Sequence, residues 1–169
     1  MTVGKIYFDM DGVLADFSKG VRELCGMEPS DPSGETDVAM DSEMWTRIRE
    51  AGHFYDRLDL KPGAKEMFDR LWEKYGDKCE ILTGVPKPER GIPEAGDDKT
   101  AWVRRLLSKD IRVNIVLRAE KIEKCTGPET ILIDDLEKTI REGRELGGTG
   151  ILHVDAETTL AELEKLGIL

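Results

Sequence analysis

The sequence predicts an α/β fold: an open parallel sheet between two helical layers, with a small helical insert after the first strand. Two observations carry this. Short apolar runs of β type alternate with stretches whose apolar residues recur at helical spacing, the pattern of strands joined by helical crossovers. Several of those apolar runs end abruptly in a polar residue and a turn: Asp9-Met10-Asp11-Gly12, Thr83-Gly84 and Asp134-Asp135. Open α/β sheets present their sites at the carboxyl ends of their strands.

The first strand covers roughly Lys5 to Asp9. Gly12 then lets the chain turn without Cβ strain. Phe17, Val21, Leu24 and Cys25 recur at helical spacing, so a helix starts near Phe17 and stops near Gly26. Glu28 to Glu35 is dense in breakers and reads as loop. Met44, Trp45 and Ile48 mark a second helix, with Asp41 or Ser42 as N-cap candidates. No strong strand falls between Asp16 and Lys61. The expected division is therefore a core of residues 1–16 and 61–169 and a helical insert of residues 17–60, and an insert this long is generally functional.

Lys61-Pro62-Gly63-Ala64 opens the next helix, with Pro62 in its first turn. Ala64, Met67, Phe68, Leu71, Trp72 and Tyr75 form its core stripe, and Gly76 ends it. Cys79 to Gly84 is the second strand. Val85 to Gly96, with three prolines, reads as a long exposed loop, after which Asp97 or Asp98 caps a helix bearing Trp102, Val103, Leu106 and Leu107. Arg112–Leu117, Thr130–Asp135 and Gly150–Val154 complete the strands. Leu136, Ile140 and Leu146 line one late helix, and Leu160, Leu163 and Leu166 the last.

At 169 residues the chain is long enough for a substantial core. Its 39% hydrophobic and 36% charged content fits a globular protein. A net charge of −10 excludes nucleic-acid and anionic-membrane surfaces as expected partners, since both need basic patches. No apolar run suits a membrane span and no signal peptide is indicated. Cys25, Cys79 and Cys125 are scattered, without a disulfide framework or a Cys-x-x-Cys pair. The expectation is a cytoplasmic, reducing environment.

If the first strand stays extended, Asp9 and Asp11 point the same way, because side chains repeat every second residue. Converging carboxylates repel. A hard cation such as Mg²⁺, held by one or two carboxylates and substrate phosphate, is the usual offset.

Asp9-Met10-Asp11-Gly12-Val13 resembles the first motif of the haloacid dehalogenase superfamily, and its extension through Leu14-Ala15-Asp16-Phe17 looks like the start of the 5′(3′)-deoxyribonucleotidases within it. The ordered set Asp9/Asp11, Thr83, Lys121 and Asp134-Asp135 is similar to the four motifs of the superfamily's phosphatase branch, and the resemblance spans nearly the whole core. It implies a Rossmann-like core with a cap at residues 17–60. It also implies a Mg²⁺-dependent phosphomonoester hydrolase acting through an aspartyl-phosphate on a small phosphorylated metabolite, first of all a (deoxy)nucleoside monophosphate. A small sugar phosphate or phospho-acid is the next substrate class.

By this resemblance Asp9 is the nucleophile and Asp11 the acid and then the base. Thr83, Gly84 and Lys121 bind the phosphoryl group. Asp9, the main-chain carbonyl of Asp11, and Asp135 hold Mg²⁺, with Asp134 supporting them. Lys99, before a Trp-Val helix, matches a second site lysine of the nucleotidases, and Phe17 matches a residue that packs on the substrate ring. Trp45, Phe54 and Tyr55 read as core of the cap. Thr83-Gly84-Val85-Pro86 departs from the nucleotidases' Thr-Ser-Pro. Two other classes compete. A phospho-receiver domain would carry its adjacent acidic pair on the first strand, and a non-catalytic binding protein on this scaffold would have lost a key carboxylate.

Overall fold

Residues 1–31 and 37–169 are described by a computed structural model. Part of the expected Glu28–Glu35 loop, residues 32–36, lies outside them.

Among the described residues five strands form one all-parallel sheet: β1 (Lys5–Phe8), β2 (Cys79–Val85), β3 (Arg112–Leu117), β4 (Thr130–Asp134) and β5 (Thr149–Leu152), in the order β3-β2-β1-β4-β5. Ile6 pairs with Cys79 on one side and Ile131 on the other. β1 is thus central and must be apolar on both faces. Ile6 and Phe8 are fully buried on one face, and Tyr7 lies with Leu82, Leu132 and Ile140 on the other.

The first face is covered by α3 (Ala64–Tyr75), α4 (Ala95–Leu106) and α6 (Ala156–Lys165) through Met67, Phe68, Leu71, Trp102 and Leu163. The second carries α5 (Glu137–Glu145) and the 3₁₀ segment Arg118–Lys124. This is the expected three-layer, Rossmann-like arrangement. Right-handed crossovers explain it: helices joining strands laid out in opposite directions from β1 must fall on opposite faces. The order reverses between β1 and β4, where such sheets open a crevice.

Residues 17–60 contribute α1 (Phe17–Cys25), α2 (Val38–Ala51) and the 3₁₀ turn Phe54–Arg57. The chain leaves and re-enters the sheet layer through adjacent backbones. The Asp16 amide donates to the Asp59 carbonyl (2.8 Å) and the Lys61 amide to the Leu14 carbonyl (2.8 Å). The 3₁₀ turn lies along α4: Trp102 Nε1 donates to the Leu58 carbonyl (2.8 Å) and Arg105 Nη2 to the Asp56 carbonyl (2.7 Å).

Some local expectations are corrected. Asp37, not Asp41 or Ser42, caps α2, its carboxylate accepting from the amides of Ala39 and Met40. Asp41 is instead engaged by Ser30 and Arg90. Pro62 lies before α3, whose N-cap is Gly63. Residues 85–96 are not one exposed loop: Val85 ends β2, Ile92 is buried, and α4 begins at Ala95. Asp97 and Asp98 therefore sit inside the first turn of α4 rather than at its cap, and Asp98 is turned toward His53. Leu146 follows α5 and is exposed.

Candidate active site

β1 and β4 are neighbours, and both end in aspartates at the crevice. The sheet register therefore brings Asp9, Asp134 and Asp135 together, with oxygens of all three within 4.8 Å of one another. Asp9 and Asp134 are buried, and Asp135 is the least enclosed. Lys121 reaches between them from the segment after β3. Its Nζ donates to Asp9 Oδ1 (2.7 Å) and Asp134 Oδ2 (2.8 Å). The amide of Met10 also donates to Asp9 Oδ1 (2.9 Å), and the amide of Leu136 to Asp134 Oδ1 (2.9 Å). Both oxygens of Asp134 are thus committed within the protein.

Asp11, Thr83 and Gly84 meet a second buried lysine. Lys99 Nζ donates to Asp11 Oδ2 (2.8 Å), Thr83 Oγ1 (2.9 Å) and the Gly84 carbonyl (2.7 Å). The other Asp11 oxygen is buried without a partner among the described residues. Gly12 turns the chain between the two clusters at φ +82°, and a Cβ there would lie 2.0 Å from Asp135 Oδ2. Only glycine fits, for conformation and for space. Lys61 Nζ holds the Gly12 carbonyl from outside (3.0 Å).

Four carboxylates thus face two ammonium groups, which leaves the fully ionised site two negative charges from neutral. Burial, then the neighbouring Asp9 and Asp134, pushes Asp135 up to about 8. Burial and Asp9 push Asp134 up to about 6, against the pull of Lys121. Burial raises Asp11 as well, with Lys99 opposing. Burial works against the Lys121 charge, but Asp9 and Asp134 outweigh it and hold the ammonium above its usual range. A set whose crowded carboxylates favour bound protons is one a divalent cation fits.

Asp134 and Asp135 hold a proton more tightly in the fold than in the unfolded chain, where the ordinary value is 3.8. Protonation therefore favours the metal-free fold, and its stability should fall as pH rises from about 4 through about 6 and about 8. Thermal melts in chelator should decline across that range, and Mg²⁺ should flatten the decline by replacing the protons. Melting temperatures in chelator that rise with pH would contradict it.

Phe17 stands half-buried at the start of α1, with ring centroids 5.5 Å from Phe54, 6.3 Å from Trp45 and 6.4 Å from Tyr55. Phe54 and Tyr55 are buried. The three thiols are buried, with burial raising Cys79 to about 12 and Cys125 to about 11, so none is a ready nucleophile.

Lys99, expected only as an auxiliary lysine, ties Asp11 to Thr83. Lys61 and Tyr55, which also bear on the site, were missed as such. Lys61 lies in Lys61-Pro62-Gly63, whose turn chemistry hides a side-chain role, and Tyr55 carried no signal beyond an aromatic pair.

The architecture is similar to that of solved haloacid dehalogenase structures. L-2-haloacid dehalogenase from Xanthobacter autotrophicus shares it with a TM-score of 0.55 at 14% identity, over 99% of this chain and 85% of that one. In sequence the chain resembles 5′(3′)-deoxyribonucleotidases. The human mitochondrial enzyme is 28% identical over 150 residues, covering 78% of this chain and 61% of that protein. A Vibrio phage KVP40 protein provisionally given the same name is 29% identical over 116 residues, 69% of this chain and 58% of its own. The chain thus spans about three-fifths of the length of these relatives. No protein-family model matches it. Among the described residues no helix is long and apolar enough to cross a membrane.

Proposed function

We propose that the chain is a Mg²⁺-dependent phosphomonoesterase acting through an aspartyl-phosphate, with a (deoxy)nucleoside monophosphate as its substrate class. The observation that carries this is the convergence of Asp9, Asp134 and Asp135 around Lys121, beside the Asp11–Lys99–Thr83 cluster. Phosphate monoesters hydrolyse so slowly unaided that a nucleophile, an acid and charge neutralisation are all needed.

In this reading a carboxylate oxygen of Asp9 forms the new P–O bond as the bond to the leaving alcohol breaks. Asp11 gives the leaving-group oxygen its proton, a role suited to a carboxyl whose burial favours the protonated form. Asp11 then takes a proton from the water that cleaves the acyl-phosphate. Thr83 and Lys121 supply donors to the phosphoryl oxygens, and Lys99, kept in place by Gly84, adds positive charge beside Asp11 and Thr83. Asp9, Asp135 and the Asp11 carbonyl would hold Mg²⁺, because both oxygens of Asp134 are already taken. When bound, the ion neutralises charge on the phosphoryl group. Residues 17–60 act as the cap over the leaving group, and the nucleotidases named above support a nucleotide there.

A panel of phosphomonoesters tests this. With Mg²⁺ the protein should hydrolyse p-nitrophenyl phosphate and prefer deoxynucleoside monophosphates to sugar phosphates. Chelation should stop turnover, and Ca²⁺, whose coordination is larger and looser, should restore little. If Phe17 meets the base, Phe17→Ala should raise KM for a nucleotide several-fold, since base–aromatic stacking is worth roughly 1–3 kcal/mol. It should leave p-nitrophenyl phosphate unaffected. Full activity in chelator would remove the metal. A preference for sugar phosphates would replace the nucleotide.

A further inference from the structure

Lys99 is 1% exposed, and its ammonium has three protons to give. All three directions are occupied by acceptors: Asp11 Oδ2, Thr83 Oγ1 and the Gly84 carbonyl. Each belongs to the core. A further side of the ammonium is faced by the ring of Tyr55, whose centroid lies 4.5 Å from Nζ. That ring belongs to the insert.

We propose that Tyr55 is a positioning residue: the insert lays its aromatic face on Lys99 and so holds the ammonium against Asp11 and Thr83. The inference rests on the phosphatase reading only for its kinetic consequence.

The geometry supports it from both directions. An aromatic face attracts a cation within about 6 Å, most strongly where water is excluded, and both groups here are buried. The ring is itself fixed. Phe54 meets it edge-on at 5.3 Å, and Phe17 lies 6.4 Å away at an interplanar angle of 30°. The segment carrying it is gripped by one face of α4, through Asp98 to His53 (3.0 Å), Trp102 to the Leu58 carbonyl and Arg105 to the Asp56 carbonyl. These residues share their helix with Lys99. α4 thus sets both the height of Lys99 and the seat of the ring that covers it. Lys121, by contrast, is held by Asp9 and Asp134. The site has one lysine fastened within the core and one fastened jointly by core and insert.

The test compares the two lysines in the same molecule. Trace acylation with acetic anhydride, read by mass spectrometry, measures how protected each amine is and needs no turnover. In the Mg²⁺-supplemented wild type both should be protected. Tyr55→Leu removes the ring: Lys99 labelling should rise several-fold while Lys121 stays protected. Tyr55→Phe keeps the ring and should restore protection of Lys99. For the phosphatase, Tyr55→Leu should lower kcat about tenfold with KM within about twofold, the signature of a misaligned group rather than lost binding. Should Tyr55→Leu fail to fold, fluorinated phenylalanines at position 55 keep the shape and drain the ring's negative face. Lys99 labelling should then rise with the number of fluorines.

Three results would overturn the proposal: equal exposure of both lysines with a lowered Tm, indifference of Lys99 to fluorination, or Tyr55→Phe behaving like Tyr55→Leu. Absence of any phosphatase activity in the wild type would instead remove the functional reading and leave the labelling test standing.

Discussion

Asp9→Asn is expected to abolish turnover, by at least about a thousandfold, while leaving the protein folded. An amide cannot attack phosphorus to give an acyl-phosphate, and no other carboxylate stands at the end of β1 in the same place. The fold should tolerate the change because Lys121 keeps Asp134 as a partner at 2.8 Å. The substitution also removes one of three crowded carboxylates. Turnover of p-nitrophenyl phosphate and the melting temperature, measured on the same preparation, check both halves. Near-normal turnover would remove Asp9 as nucleophile and the mechanism with it.

Lys121→Met should have the largest effect on stability. The lysine is buried between Asp9 and Asp134, and the methionine that replaces it has similar bulk but no charge. Breaking a buried ion pair from one side leaves uncompensated charge and costs about 3–5 kcal/mol. For a chain of this size each kcal/mol corresponds to roughly 2–4 °C of melting temperature. At pH 7 the loss should therefore be plain in a thermal melt. It should shrink as pH falls toward about 6, because without the pull of Lys121 the Asp134 carboxylate takes up its proton above that value. Mg²⁺ should recover part of it by supplying charge to the same carboxylates. An unchanged melting temperature at pH 7 would mean that the two aspartates find their neutralisation elsewhere.

What could be read in advance divides along physical lines. The strands and the main helices were legible because alternating apolar runs and 3.6-residue stripes are local. The convergence of Asp9 with Asp134 was legible too, since a parallel sheet must set all its carboxyl ends along one edge. The caps of α2 and α4 were misread because several acidic residues crowd each helix start. Asp37, Asp41 and Ser42 compete at one, where Asp37 caps; at the other neither Asp97 nor Asp98 does, because α4 already begins at Ala95. The importance of Lys99 was underestimated for a related reason. A lysine near the start of a helix looks solvated until the helix begins at Ala95, which turns its side chain inward toward Thr83. The Tyr55–Lys99 contact joins residues far apart in sequence and on different elements, and no periodicity reports it.

The paired hydrogen bonds at the neck of residues 17–60, Asp16 to Asp59 and Lys61 to Leu14, have a bearing on how such a chain can change over time. Because the two ends of the insertion are already zipped together, loop-closure entropy depends little on how much chain lies beyond them. Lengthening, shortening or exchanging that chain leaves the register of Ile6 with Cys79 and Ile131 untouched. The fold is therefore a socket. On the proposed function, a lineage can rebuild residues 17–60, and with them the range of molecules admitted, without renegotiating the sheet that aligns Asp9, Asp134 and Asp135.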